Sequence, residues 1–232
     1  MAETRFVKLL SIPKSFYVSG KLVGWKYAYK LPVMVRYNSV LNNLSGKVII
    51  KDVPIKSRML YIGFSSTGIL DKKYCRSILE IRGTMIIEGT TTFGQGTKIS
   101  IARSGSLYLG DGFSSTSGGV FICVNNIHIG KGTAVAWDAM IMDTDWHSTM
   151  NPLTKEIHQA AGNIFIGDHC WIGTRCVVLK NTYLPNGCIL AANSTANKHY
   201  STPNTLIAGT PAIEKKHNIT KSTLGDFQFL KQ

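Results

Sequence analysis

The short stretch Asp-Thr-Asp-Trp-His, which ends at His147, gathers side chains suited to chemistry. An imidazole titrates near neutral pH, so His147 can act as a general base that takes a proton from a substrate. Asp143 and Asp145 could orient that imidazole, although aspartate is also a common turn residue. Trp146 could stack on a bound ligand or anchor the segment by packing. The stretch is therefore suited to acid–base catalysis by His147, although His147 could also be a surface or structural histidine, and the roles of the other residues are open.

The sequence on both sides of this stretch repeats every six residues. From Ile166 onward an aliphatic or alanine residue leads each hexad, and a small residue takes the fifth place. The leading residues are Ile166, Ile172, Val178, Leu184, Leu190 and Ala196, and the small ones are Cys170, Cys176, Thr182, Cys188 and Ser194. The same period starts at Ile87 and at Ile129, and it is less regular between Ser100 and Asn126. Neither the helical period nor the alternation of a simple strand explains a repeat of six.

A period of six fits short strands joined by tight corners, with the leading aliphatic residue pointing into a narrow core. Three such sides close a triangular coil of about 18 residues, and successive coils stack about 4.8 Å apart. The sequence therefore predicts an all-β fold, a parallel β-helix. Cys170 and Cys188 would lie on adjacent coils as buried small side chains. Five cysteines without a Cys-x-x-Cys pair predict reduced thiols.

The repeat is interrupted where His147 lies. Counting in sixes from Ile141 would place His147 at an inward position, where an unpaired imidazole is costly to bury. The repeat resumes at Ile166, 25 residues after Ile141, which is not a multiple of six. We therefore expect an inserted loop over about residues 143–163, a usual place for catalytic residues on a rigid scaffold.

Basic charge is concentrated at the front of the chain. The net charge is +13, and residues 1–82 carry 15 Lys/Arg against 4 Asp/Glu, while the rest carries 11 against 9. Aromatic residues are mixed with this charge over residues 15–37. Such a segment could lie on an anionic membrane or meet a polyanionic substrate, or it could be a solvated surface. No nucleic-acid-binding motif accompanies the charge, so nucleic acid is not expected as a partner.

The chain is expected to stay in the cytoplasm, with possible peripheral contact at the inner face of the membrane. No apolar run reaches the roughly 18 residues of a membrane span, and the N-terminus lacks a secretory signal.

The repeats resemble those of the hexapeptide-repeat acyltransferases, in particular sugar and polysaccharide O-acetyltransferases related to maltose and galactoside acetyltransferases. The resemblance covers roughly residues 81–213 and rests on IGKGTAVAWDAMIMDTDWH, IGDHCWIGTRCVVLKNTYLPNGCILAANSTANK and LIAGTPA. It implies a left-handed β-helix assembled as a homotrimer with active sites between subunits. The expected organisation is a lead-in segment at residues 1–60, the β-helix at 61–213, and a C-terminal tail or helix at 214–232.

The resemblance also implies roles for individual residues. His147 would deprotonate an acceptor hydroxyl on a sugar or polysaccharide, which attacks the thioester of acetyl-CoA directly. Asp143, Asp145 and Trp146 are the candidates for acceptor binding. The candidates for binding acetyl-CoA are Trp171, Thr174, Ala192, Asn197, Lys198 and Lys216. Family members often have Thr-Lys-Asp where this chain has Asn-Lys-His, so the match there is carried by the lysine alone.

Other functions stay open at this stage. An N-acetyltransferase acting on a nucleotide-linked amino sugar and a drug-modifying acetyltransferase would use the same donor. A zinc enzyme resembling γ-class carbonic anhydrases would need three converging histidines, and the spacing of His128, His147, His158 and His169 does not match that family. We therefore expect no metal. A non-catalytic trimeric scaffold is the remaining alternative.

Overall fold

A computed structural model describes residues 5–64, 67–68, 70–71 and 73–222. The chain begins with two short α-helices and a 3-10 helix, followed by stacked coils that each place strands in three sheets. We call these sheets A, B and C in the order in which each coil visits them. The helices are α1 (Arg5–Leu10), α2 (Ile12–Leu22) and the 3-10 helix (Trp25–Lys30).

The strands follow the same A, B, C order in every coil, and all pairs between coils are parallel. Coils 1 to 3 contain β1 (Val33–Val35), β2 (Val40–Asn43), β3 (Lys47–Ile50), β4 (Leu60–Ile62), β5 (Ile78–Ile81), β6 (Thr84–Ile87), β7 (Thr91–Phe93), β8 (Lys98–Ile101) and β9 (Ser106–Leu109). Coils 4 and 5 contain β10 (Phe113–Ser115), β11 (Val120–Cys123), β12 (Asn126–Ile129), β13 (Ala134–Val135), β14 (Met140–Met142) and β17 (Ile164–Ile166).

The last coils complete the prism. They contain β18 (Trp171–Ile172), β19 (Val177–Leu179), β20 (Tyr183–Leu184), β21 (Ile189–Leu190), β22 (Thr195–Ala196) and β23 (Leu206–Gly209). The antiparallel β24 (Ala212–Lys216) then closes the edge of sheet A. The expected C-terminal tail thus begins inside β24, and its residues 223–232 lie outside the described residues.

The core agrees with the hexad pattern. All six leading residues from Ile166 to Ala196 are fully buried, and the five small residues at the fifth position are buried beside them. Burial raises the pKa of the Cys170 thiol to about 12, so the thiol stays neutral and packs as a small side chain. The parallel β-helix predicted from the repeat is confirmed.

Coil length explains where the repeat is clear and where it is not. Trp171 pairs with Ile189, 18 residues later, as three hexads require. In the earlier coils Thr91 pairs with Phe113, 22 residues later, so the corners there are longer and the count in sixes slips. The irregular stretch expected between residues 100 and 126 has this cause.

The β-helix starts earlier than the expected boundary at residue 61. Strand β1 pairs with β4 in sheet A, and β2 and β3 pair with the strands of the next coil. The first coil therefore lies inside the segment assigned to the lead-in, which is left with the helices alone. Long connections after β3 and β4 hide the period of six in this part of the sequence.

Helix α2 covers the outer edge of β1 with serine hydroxyls. The Ser19 hydroxyl accepts from the Val33 N–H at 3.2 Å and donates to the Val33 carbonyl at 3.1 Å. Ser15 does the same for Val35, at 3.0 and 3.2 Å. An open strand edge invites pairing with another chain, so these contacts seal the first coil.

Replacing Ser15 and Ser19 together by alanine should lower the free energy of unfolding by about 1–3 kcal/mol per site, because two buried N–H groups lose their acceptors. Urea denaturation measures the loss. A matched control, Ser201→Ala, changes an exposed serine near the other end and should stay within about 0.5 kcal/mol. Equal stability of the double variant and the control would contradict the sealing role.

Candidate active site

The predicted insertion forms a β-hairpin that leaves the prism at the corner between sheets B and C. Strand β15 (Thr149–Met150) pairs antiparallel with β16 (Ile157–His158). The Asn151 carboxamide oxygen accepts from the N–H groups of Leu153 and Thr154 and shapes the turn at the tip. The hairpin is therefore an ordered arm built on coil 5.

Asp143 lies at the root of this arm and faces inward. Its side chain is fully buried, and its two oxygens accept from the N–H groups of Val124 and Asn125 at 2.7 and 2.8 Å. These N–H groups belong to the matching corner of the preceding coil. A buried carboxylate that accepts two hydrogen bonds in this way holds the corner in place. Asp143 therefore supports the root of the arm and is not exposed to an acceptor.

Asp145 lies on the exposed side of the same root. Its carboxylate forms a 2.6 Å ion pair with Lys180, which stands at the same corner of the next coil. The Lys180 ammonium also donates to the carbonyls of Gln159 and Ala160, at 2.5 and 3.4 Å. One lysine thus joins the segment that leads into the hairpin to the segment that returns from it. Sequence reasoning missed Lys180, although counting coils would have placed it under the insertion.

Trp146 and His147 lie in a bend just before β15, and both are exposed. The Trp146 N–H donates to the Thr144 hydroxyl at 2.9 Å, and Trp146 has a positive φ of 63°, so the chain bends sharply just before His147. His158 sits across the hairpin from Thr149 and is also exposed. The imidazole of His147 therefore lies outside the core and is exposed to solvent.

A groove of about 720 Å³ runs along the outer face of sheet A. Trp171 and Thr174 line it together with the backbone and side chains of residues 134–137 from the preceding coil. Its other wall is the C-terminal segment at residues 219–222, which includes Lys221. The walls are mainly apolar, and Lys221 adds a cationic residue to the lining. Lys221 was not among the predicted residues, because nothing in the sequence shows where the tail folds back.

A second groove of about 310 Å³ continues from the first toward the end of the prism. Trp171, Thr174 and Ala192 all line it, so the structure brings together three of the six donor candidates. The strand register also places Lys216 in line with Trp171, because β18, β21, β23 and β24 follow one another across sheet A. Lys216 is exposed there.

The two remaining donor candidates lie elsewhere. Asn197 and Lys198 follow β22 and occupy the corner between sheets B and C, which is the corner of the arm. Both are exposed, and the Lys198 ammonium lies 5.6 Å from the centre of the Tyr200 ring. The structure thus places some of the candidate site residues at one edge of the prism and the others on the face formed by sheet A. His147, Asn197 and Lys198 share one edge, and the Trp171 groove follows another face.

Within the described ranges, no group of three or more His, Cys, Asp and Glu side chains is placed to hold a metal ion. His128 is instead stacked between Tyr108 and Phe165 on sheet C, with ring centres 4.2 and 4.8 Å away. Burial lowers the pKa of His128, which favours its neutral form.

Removing the ammonium of Lys180 should loosen the arm. We expect trypsin to cut Lys180→Met after Lys155, in the exposed turn of the hairpin, at least about fivefold faster than the parent chain, because local opening governs cleavage. Gel analysis of the fragments measures this rate. The control Lys198→Met removes a lysine from the same corner that makes no contact with the arm. Equal cleavage of the two variants would contradict the tethering role.

Comparison with known proteins identifies relatives, although no protein-family model matches the chain. A 24.8 kDa uncharacterized protein from the cps region of Klebsiella pneumoniae is 30% identical over 183 residues, which cover 76% of this chain and 79% of that protein. WbbJ of Escherichia coli strain K12, named as a candidate O-acetyltransferase of lipopolysaccharide biosynthesis, is 30% identical over 139 residues, 55% of this chain and 69% of WbbJ.

A solved structure shares the fold. The polysialic acid-specific acetyltransferase NeuO superposes with a TM-score of 0.53 and 19% identity, covering 83% of this chain and 82% of NeuO. At this identity the likeness concerns architecture alone, and it agrees with a left-handed parallel β-helix with helices at its N-terminus. From its repeat, its fold and its relatives, the chain belongs to the hexapeptide-repeat acetyltransferase superfamily.

Proposed function

We propose that the protein transfers an acetyl group from acetyl-CoA to a hydroxyl of a sugar or of a cell-surface polysaccharide unit. The observation that carries the proposal is the exposed His147 on an ordered arm, in a chain of this superfamily that also has an apolar groove lined by Trp171. The names of WbbJ and NeuO support an acceptor of this class. A cytoplasmic location belongs to the same proposal, because the donor is a cytoplasmic metabolite.

His147 acts as the general base. An alcohol is a poor nucleophile until its proton is being removed, and an imidazole can take that proton near neutral pH. The acceptor oxygen then attacks the thioester carbonyl, the C–S bond breaks, and the protonated imidazole returns its proton to the departing thiolate. Trp146 and Asp145 border the acceptor, and Asp143 acts through the position of the arm.

The residues of sheet A fit the donor. The indole of Trp171 and the small side chains of Thr174 and Ala192 leave room for a slender pantetheine arm beside the backbone. The phosphates of CoA would bind to Lys221 in the groove and to Lys216 on sheet A. Lys198, at the corner between sheets B and C, is a third candidate for phosphate binding. Asn197 remains a candidate contact beside Lys198.

A homotrimer with sites between subunits completes this arrangement. The arm leaves the prism between sheets B and C, whereas the donor groove follows sheet A, so a base and a donor would meet across two chains. The arm also exposes four large apolar side chains, which would be covered by a neighbour. They are Trp146, Met150, Leu153 and Ile157.

Replacing the base should abolish catalysis while the fold is kept. His147→Ala should lower the rate of acetyl transfer by about 10²- to 10⁴-fold, because the acceptor proton loses its base. Release of free CoA is measured with a panel of sugars, nucleotide sugars and oligosaccharides. His158→Ala, in the same arm, is the matched control and should keep most of the activity. Unchanged turnover by His147→Ala would refute the proposed mechanism.

Mixing two inactive variants should restore activity if each site joins two chains. His147→Ala lacks the base, and Ala192→Trp fills the donor groove. A co-assembled equal mixture should recover about a quarter of the parent activity, because a cyclic trimer then forms about one intact site in four. Sedimentation should give three times the 25.5 kDa of one chain. A mixture as inactive as its parts would place the site within a single chain.

A further inference from the structure

Helix α2 packs serine hydroxyls and two aliphatic side chains, Val18 and Leu22, against the protein, and it turns aromatic side chains toward solvent. Ser11, Ser15 and Ser19 recur every four residues on the buried side, and their hydroxyls serve the backbone of residues 33–37. Phe16 and Tyr17 project from the opposite side. Val18 and Leu22 already bury the inner side of this helix, and a helix that only closed the β-helix would normally carry polar residues on its outer side. The outward aromatic side is thus not explained by the fold.

The helices expose an unusual amount of apolar surface. Of the nineteen large apolar side chains exposed among the described residues, eight lie within residues 5–30, with 40–71% of each side chain accessible. We call them the aromatic face: Phe6, Leu9, Leu10, Ile12, Phe16, Tyr17, Trp25 and Tyr29. Trp25 lies across Gly20, and its ring is 6.2 Å from Phe16 and 6.4 Å from Tyr17. Patches of this kind mark interaction sites.

Positive charge surrounds the aromatic face. No Asp or Glu occurs between residues 4 and 51, whereas Arg5, Lys8, Lys21, Lys26 and Lys30 all lie in the helices. A groove of about 290 Å³ between α1 and β1 shows the combination in detail. Its apolar lining is Leu9, Ile12, Leu31 and Met34, and its cationic lining is Arg5, Lys8 and Arg58. Apolar floors rimmed by cations suit an anionic amphiphile.

The charge also decides between possible occupants. A second copy of the aromatic face would bring two sets of cations together without a single acidic partner in the segment, so self-association through this face is opposed. The face lies at coil 1, four coils from the arm, and at about 4.8 Å per coil this leaves the site on coil 5 free. An anionic bilayer supplies both an apolar interior and negative headgroups.

We propose that the aromatic face is a docking surface for an anionic lipid bilayer, with its aromatic and aliphatic side chains in the interface and its lysines and arginines at the headgroups. Docking places the prism with its first coil on the membrane and its arm in the aqueous phase. An acceptor attached to a lipid at that surface would be held near the enzyme. The docking itself is independent of the acetyl transfer proposed above.

Co-sedimentation of the full-length protein with vesicles tests this inference. Vesicles of phosphatidylcholine with about one third phosphatidylglycerol should bind at least about tenfold more tightly than phosphatidylcholine alone, and about 0.5 M salt should weaken binding. The triple variant Phe6→Ser, Leu9→Ser and Phe16→Ser should lose at least about tenfold in binding. Trp25 fluorescence should shift to the blue with vesicles, and Trp25→Phe should remove that shift.

A matched triple variant changes three exposed apolar residues elsewhere, Val53→Ser, Tyr74→Ser and Ile213→Ser, and should bind vesicles as the parent does. Equal vesicle binding by the parent and the aromatic-face variant would overturn the inference. So would a smaller sedimentation mass of that variant without lipid, which would assign the face to a second copy. If the aromatic-face variant lost vesicle binding in neither salt condition and bound heparin as tightly as the parent, a polyanionic glycan would be the partner of the positive charge instead of a bilayer.

Discussion

The structure depends on the parallel stacking of one aliphatic side chain above another inside a triangular prism. Each coil must deliver its inward residues at the same three places, because the core is only a few side chains wide and the strands of adjacent coils pair in fixed register. Ile166, Ile172 and Val178 are fully buried for this reason. An unpaired polar residue cannot enter this column without cost, whereas the longer middle coils accommodate the rings of Phe93, Phe113 and Phe121.

The same register orders the outside of the prism. On sheet C, successive coils place one ring above another, with ring centres 4.2–4.8 Å apart. The ladder consists of Tyr108, His128, Phe165, Tyr183 and His199. The rings of this ladder stack face to face, so His128 and His199 contribute to packing. Among the described residues, no ring stacks on His147 or His158, the two histidines of the arm.

A rigid prism is suited to holding an arm in place, but it separates the parts of the site. Asp143 fixes the root of the arm to coil 4, and Lys180 of coil 6 contacts the segments that lead into and out of the hairpin. The groove beside Trp171 follows a different face, at the level of the same coils. A stiff solenoid cannot bring its own arm to its own groove on sheet A, so the proposed reaction requires the groove of a neighbouring copy. At the opposite end, the serine-lined helix closes the first coil and leaves its aromatic side outward.

The six-residue repeat alone was enough to predict the parallel β-helix and the place where the repeat is interrupted. Each leading aliphatic residue of a hexad is the buried residue of one side of the prism, so the repeat predicts the fold. The six-residue spacing ends after Ile141, where the arm begins. The position of His147 outside the core followed from the same count. The roles of the proposed site residues stay predictions.

The contacts outside the repeat could be seen only in the stacked coils of the folded chain. It placed the first coil at Val33, since long corners conceal the period there. It turned Asp143 inward and put Lys180 under the arm, because such contacts join residues far apart in the chain that come together only when coils stack. It separated Trp171 from His147 by placing them on different sides of the prism. Local spacing fixes which way a side chain points within a coil, and long-range packing fixes what it meets.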